Sequence, residues 1–217
     1  MNNKYLSIYK SNIEIKDKDI YTLNKNPHAI QYFKKYPNKI NWYNLSFNKN
    51  AIKLLKNNLD KINWFNLSLN PNAIEILETN LDKINWINLC SNKNAIKLLE
   101  NNLDKINWNN LCSNKNAINL LENNLDKINW NILSGNKNVI KLLENNLDKV
   151  NWSILSIYNK NAIELLENNI DKINWSKLSV CNKKAIELLI YNKDTNKILT
   201  INKNQNIFYK KKIIINL

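Results

Sequence analysis

General acid–base catalysis needs a titratable side chain tuned by a pocket, and this chain offers one histidine, His28, directly after an Asn-Pro pair. A lone histidine at the start of a helix reads as a solvent-facing turn residue. Metal sites need Cys, His and carboxylates clustered at ligand spacing. The cysteines, Cys90, Cys112 and Cys181, stand 22 and 69 residues apart with no histidine beside them. Phosphate-cradling loops need several glycines, and Gly135 is the only one. The Asp-Lys pairs, from Asp60-Lys61 to Asp171-Lys172, recur periodically. They form a solvated charge ladder in which each pair contributes little. The sequence predicts no enzyme: no catalytic residue, no cofactor and no metal.

What recurs instead is tryptophan. Trp42, Trp64, Trp86, Trp108, Trp130 and Trp152 are 22 residues apart, and Trp175 follows after 23. The repeated unit reads Ile-Asn-Trp-x-x-Leu-Ser/Cys-x-Asn-Lys-Asn-Ala-Ile-x-Leu-Leu-Glu-Asn-Asn-Leu-Asp-Lys, most clearly from Ile84 to Lys105. A column of indoles is able to stack nucleic-acid bases. An invariant Trp three residues before an invariant Leu is also what core packing demands, and all seven are assigned to the structural core. Positions that vary inside a fixed frame say more about partners. The residue after Trp is Tyr43, Phe65, Ile87, Asn109, Asn131, Ser153 and Ser176; the next is Asn44, Asn66, Asn88, Asn110, Ile132, Ile154 and Lys177. Drift on a tolerant surface is one account. The sharper one is a partner-binding strip of Tyr43, Phe65, Ile87 and Asn109 with Asn44 and Asn66, because aromatic anchors dominate interface energetics.

These residues must be positioned by a unit of 22 residues, which leaves room for two short helices. In Asn70-Pro71-Asn72-Ala73-Ile74, Asn70 sits as an N-cap and Pro71 at the first helical position; Asn26-Pro27 repeats the signal. Ala95, Ile96, Leu98, Leu99 and Leu103 keep helical spacing. Asn101-Asn102 stops this helix, with Asn supplying a left-handed C-terminal residue and Leu103 folding back onto Leu98. The helix carrying Trp86 and Leu89 starts at Asp82 or Asn85, with Asn85 favoured. A leucine-rich-repeat-like coil shares the period and its asparagine ladders, but the stretch around Trp lacks the L-x-x-L-x-L core. The fold expected is all-α: an α-solenoid of about eight short helical-hairpin repeats.

Residues 1–17 are assigned to an N-terminal cap, 18–196 to the repeats and 197–217 to a basic C-terminal cap, whose Ile213–Ile215 run reads equally as strand or short helix. One extra residue falls near Ile157-Tyr158 and another near Val180-Cys181. Both are expected in the loop between helices, leaving the helical faces in register. Cys90 and Cys112 fill the slot that Ser46 and Ser68 occupy elsewhere. Helices packed ~8–10 Å apart hold such residues beyond disulfide reach, so they read as small buried fillers in a reducing compartment.

All 32 basic residues are Lys, and the net charge is +14. Asn, Lys and Ile share A/T-rich codons, so base composition competes with function as the source of that charge. Its distribution is informative. Residues 21–61 carry eight Lys against one Asp, and 173–217 nine Lys against two acids, while 82–172 balance eleven Lys with ten acids. A protein tracking a nucleic-acid backbone should be basic along its length. The opening MNNKYLSIYK lacks the apolar core of a signal peptide, and no apolar run approaches the ~20 residues of a membrane helix. The expectation is a cytoplasmic monomer without membrane contact.

The repeated unit resembles a 22-residue repeat abundant in proteins of giant amoeba-infecting DNA viruses, over about residues 18–196. Asn206-Ile207-Phe208-Tyr209 is similar to the close of such arrays. Lys49, Lys93, Lys115 and Lys137 stand where that family commonly has Pro, kept here at Pro71; this weakens helix initiation slightly. The resemblance implies a repeat array among many paralogues with no assigned activity, and a viral setting in host cytoplasm or virus factory. Sequence and resemblance together give a non-catalytic scaffold for protein–protein interaction. The alternatives are a nucleic-acid-binding α-solenoid using its Lys-rich ends, and a structural component of a virion or replication factory.

Overall fold

A computed structural model describes residues 23–24, 26, 29–174 and 177–178. His28, Pro27, Trp175, Cys181, both expected caps (1–17 and 197–217) and the Val180-Cys181 insertion lie outside the described residues. The chain divides into two compact units, 1–116 and 117–217. Among the described residues every regular element is helical and none is a strand. Each unit is a stack of the same short-helix repeat, an all-α solenoid architecture.

In the first unit, Trp helices run over Trp42–Leu45, Trp64–Leu69, Trp86–Cys90 and Trp108–Leu111. Leu-Leu helices run over Ile52–Lys56, Ile74–Glu78 and Ile96–Glu100. Each Leu-Leu helix is followed by a 3-10 turn on Leu-Asp-Lys: Leu59–Lys61, Leu81–Lys83 and Leu103–Lys105. Ahead of them lie a helix Ile30–Lys35 and a 3-10 turn Pro37–Lys39. The second unit repeats the pattern with Ile118–Glu122, Trp130–Ser134, Ile140–Glu144, Trp152–Tyr158 and Ile163–Glu167. The 3-10 turn was not expected from the sequence. It makes Leu103 an exposed residue instead of one folded back onto Leu98.

Helices of four to seven residues are far below the ~12–15 that hold together alone in water. Tertiary burial supplies part of what they lack. Leu89, Cys90, Ala95, Leu98, Leu99 and Ile106 are the buried apolar set of one repeat, and Leu89 and Leu99 are completely enclosed. Each enclosed leucine stabilises by roughly 1.5–3 kcal/mol.

Asparagine supplies the rest, in four roles. As expected, Asn85 caps the Trp86 helix, its Oδ1 accepting the Asn88 N–H at 2.9 Å; Asn41, Asn63, Asn107 and, in the second unit, Asn151 do the same. At the other end of the Leu-Leu helix, the Asn102 side-chain amide donates to the Leu98 carbonyl at 2.8 Å. This replaces the left-handed stop: Asn101 has φ −78° and Gly135 φ −82°, both right-handed. A side chain that reaches back to a carbonyl makes the left-handed turn unnecessary.

The third role corrects the reading of Asn70. It does not cap a helix. The helix begins at Ile74 after Ala73, with Pro71 and Asn72 in the preceding turn. The Asn70 Oδ1 accepts the Asn72 N–H at 3.1 Å. Its Nδ2 donates to two carbonyls of the preceding repeat, Ser46 at 3.1 Å and Asn48 at 3.0 Å. Asn48, Asn92 and Asn114 do likewise, and all four are buried. The fourth role is more exposed: Asn72, Asn94 and Asn116 donate to the carbonyls of Lys49, Pro71 and Lys93.

In the second unit Asn159 keeps the buried role, bonded to Ser134 and Asn136 carbonyls at 3.2 and 3.1 Å. The extra residue near Ile157-Tyr158 therefore does not break register. It enters the helix, which extends to Tyr158, and not the loop where the sequence placed it.

Asn92→Ala removes a donor from each of two buried carbonyls, leaving that of Asn70 with the Ala73 N–H alone, and should destabilise by about 2–4 kcal/mol. Asn94→Ala, whose bond is exposed, should cost under ~1 kcal/mol. Urea denaturation measures both; equal losses would contradict the assignment.

Candidate interaction surface

The six described indoles are half-buried and none belongs to the enclosed core. The assignment of Trp42, Trp64, Trp86, Trp108, Trp130 and Trp152 to the core is corrected accordingly. Each stands at the first helical position, where a side chain lies at the edge of the stack, and the leucine three residues on takes the interior. One face of several rings is covered by the lysine of the Leu-Asp-Lys turn. Lys61 Nζ sits 5.3 Å from the Trp42 ring centre and Lys83 5.3 Å from Trp64. In the second unit Lys149 and Lys172 lie 5.5 and 5.4 Å from Trp130 and Trp152. Such cation–π contacts contribute ~0.5–1 kcal/mol at exposed sites. They also occupy ring faces that a nucleic-acid base would need.

The Asp-Lys pairs are exposed in every described repeat, as expected of a solvated charge ladder. Asp104 and Asp126 pair with their own neighbours, Lys105 and Lys127, at 3.1 and 3.0 Å. The Lys127 hydrogen bond holds the fully exposed Asp126 carboxyl below its usual range.

Tyr43, Phe65 and Ile87 are exposed by 57%, 50% and 53%, unusually open for such large apolar side chains. Asn109 is exposed as well. They occupy matching positions on successive Trp helices of the first unit, and backbone geometry is fixed between them. Asn66 Nδ2 donates to the Tyr43 carbonyl at 2.7 Å, and Asn88 Nδ2 to that of Phe65 at 2.9 Å. This removes two residues from the expected strip. Asn44 and Asn66 are only 2% and 9% exposed; the third residue of the helix turns inward, and Asn66 spends its amide on the neighbouring repeat.

One turn further along, the same unit carries a groove of ≈ 310 Å³ lined by Phe47, Lys49, Leu69, Pro71, Lys93 and Lys115 among others. No carboxylate lines it. Sequence reading missed this feature because it placed Lys49, Lys93 and Lys115 at helix starts; they lie in the turn before the helix. The available signal was the variation at the fifth position after Trp, which reads Phe47, Leu69, Ser91 and Ser113.

The Ser/Cys slot ties the Trp helix to the repeat that follows. Ser68 Oγ donates to the Trp64 carbonyl at 2.7 Å and accepts the Asn85 N–H at 3.0 Å; Ser46 repeats this with Trp42 and Asn63. In the second unit Ser134 joins Trp130 to Asn151. Cys90 occupies the slot as a buried thiol outside any disulfide, as does Cys112, in keeping with the small-filler reading. Burial pushes the Cys90 thiol up, partly opposed by the backbone N–H groups of Asn107 and of Cys90 itself.

Among the described residues no group of three or more His, Cys, Asp or Glu is placed to hold a metal ion. Among them, too, no helix is long and apolar enough to cross a membrane. No protein family, curated protein or solved structure matches the chain.

A raised thiol pKa means less thiolate at neutral pH, so Cys90 should alkylate at least about tenfold more slowly in the folded protein than in urea, where burial is lost. Peptide-resolved mass spectrometry reads this out, and equal rates would place the thiol in solvent.

Proposed function

We propose that the chain is a non-catalytic scaffold that binds a protein partner through the exposed strip of Tyr43, Phe65 and Ile87, continued by Asn109. The observation that carries this reading is the conjunction of exposure and fixed spacing. Three large apolar side chains stand in water on helices whose relative register is set by side-chain to backbone hydrogen bonds. An exposed apolar row rimmed by polar residues is a kind of surface that serves as an interaction site. Rigidity matters for affinity, since a preformed surface has little conformational freedom left to lose on binding.

Nucleic acid is the weaker reading. The indole faces available for stacking are shared with lysines, and the chain has no arginine to make bidentate contacts to guanine. Action as a monomer in the cytoplasm, and a viral origin, belong to the same proposal; the origin rests on the repeat's resemblance alone.

The test begins with a photoreactive side chain at position 65 of the full chain, which identifies the partner; binding is then measured with purified components. Replacing Tyr43, Phe65 and Ile87 together by Ser should weaken binding at least about tenfold, as expected for loss of apolar anchors, while the helical circular dichroism stays unchanged. Undiminished affinity in a folded variant would overturn the strip as the binding surface.

A further inference from the structure

The groove beside the strip has a chemistry of its own. Phe65 and Leu69 lie on one helix at positions i and i+4, hence on one face, so the apolar strip runs directly into the groove. From the first repeat to the fourth, one wall reads Phe47, Leu69, Ser91 and Ser113, and the other Lys49, Pro71, Lys93 and Lys115. The side chains of Phe47, Lys49, Lys93 and Lys115 are exposed. The backbone under the second wall is pinned: the carbonyls of Lys49, Pro71 and Lys93 accept from Asn72, Asn94 and Asn116. The wall therefore presents cation, apolar ring, cation, cation at one element per repeat, with no acid to neutralise it.

We propose that this groove binds an extended acidic peptide segment of the protein partner, with acidic side chains toward Lys49, Lys93 and Lys115 and an apolar side chain toward Leu69 and Pro71. The proposal rests on the scaffold reading and names the chemistry of the partner. Charge complementarity selects the occupant: a lining of three lysines and no carboxylate favours a negative ligand. The apolar break at Leu69 and Pro71 favours a peptide over a uniformly charged polymer, whose phosphates would meet no cation there. Spacing then fixes a register. Packed helices lie ~8–10 Å apart and an extended chain rises ~3.3 Å per residue, so about three peptide residues span one repeat. The matching pattern is acid-x-x-apolar-x-x-acid-x-x-acid.

The test uses the full chain and a labelled peptide, Glu-Ser-Thr-Leu-Ser-Thr-Glu-Ser-Thr-Glu, read by fluorescence anisotropy. A peptide of identical composition with its acids at alternate positions serves as the control. The in-register peptide should bind about tenfold or more tightly than the control. Replacing Lys49, Lys93 and Lys115 together by Gln should abolish that preference, and raising salt should weaken the contact because exposed charges are screened. These lysines are exposed, so the variant should keep its helical spectrum and melting temperature. Three results would overturn the proposal: equal binding of the two peptides, undiminished binding by the folded Lys variant, or an oligothymidylate that displaces the peptide and itself binds more tightly. The strip variant at Tyr43, Phe65 and Ile87 separates the two readings. If the peptide fails to bind the unmodified chain while partner capture still depends on the strip, the groove proposal falls and the scaffold reading stands.

Discussion

One hydrogen-bonding arrangement underlies everything else: a buried asparagine amide that donates twice to the backbone of the repeat before it. Asn92 shows the logic. Its two N–H bonds reach the Ser68 and Asn70 carbonyls, each at 3.0 Å, and its Oδ1 accepts the Asn94 N–H at 3.1 Å. Only a short side-chain amide offers two donors and an acceptor at this reach. Aspartate lacks the donors and serine has one. Helices of this length leave many backbone groups without helical partners, and buried unpaired groups are costly. The repeat answers by assigning an asparagine to each deficit: one at the start of the Trp helix, one at the end of the Leu-Leu helix and one or two between repeats. The 50 asparagines are thus in large part structural, whatever the base composition of the gene contributes.

A frame held by side-chain to backbone bonds frees particular positions from structural duty. The residue after Trp faces outward in the first unit, and the fifth after Trp and the residue after the buried asparagine line the groove there; the first two of these positions vary from repeat to repeat. The same frame tolerates insertion. In the second unit the Trp152 helix takes up one more residue and Asn159 still finds its two carbonyls. Variation in such an array is therefore able to change what the surface binds while leaving the stack intact.

Much of this was legible from local pattern. The period, the helical class, the Asn85 cap and the exposure of Tyr43, Phe65 and Ile87 follow from spacing within about one turn of chain. What was not legible depends on partners a whole repeat away. Asn70 looks like a helix cap because the local sequence is cap-like, and only the stack shows its amide bonded to Ser46 and Asn48. Asn44 and Asn66 look like surface polar residues until the adjacent helix covers them. The indoles look like core because they never vary. Their constancy is matched by a half-buried position at the helix start, where a lysine lies over the ring of Trp42, Trp64, Trp130 and Trp152.

The most direct measurement is hydrogen exchange of the asparagine side-chain amides by NMR in the folded chain. Donation to buried carbonyls predicts that the amides of Asn70 and Asn92 exchange at least about tenfold more slowly than those of the exposed Asn101 and Asn145. If all four exchange at the rate of free amides, the asparagine contacts do not hold the repeats together and the account is wrong.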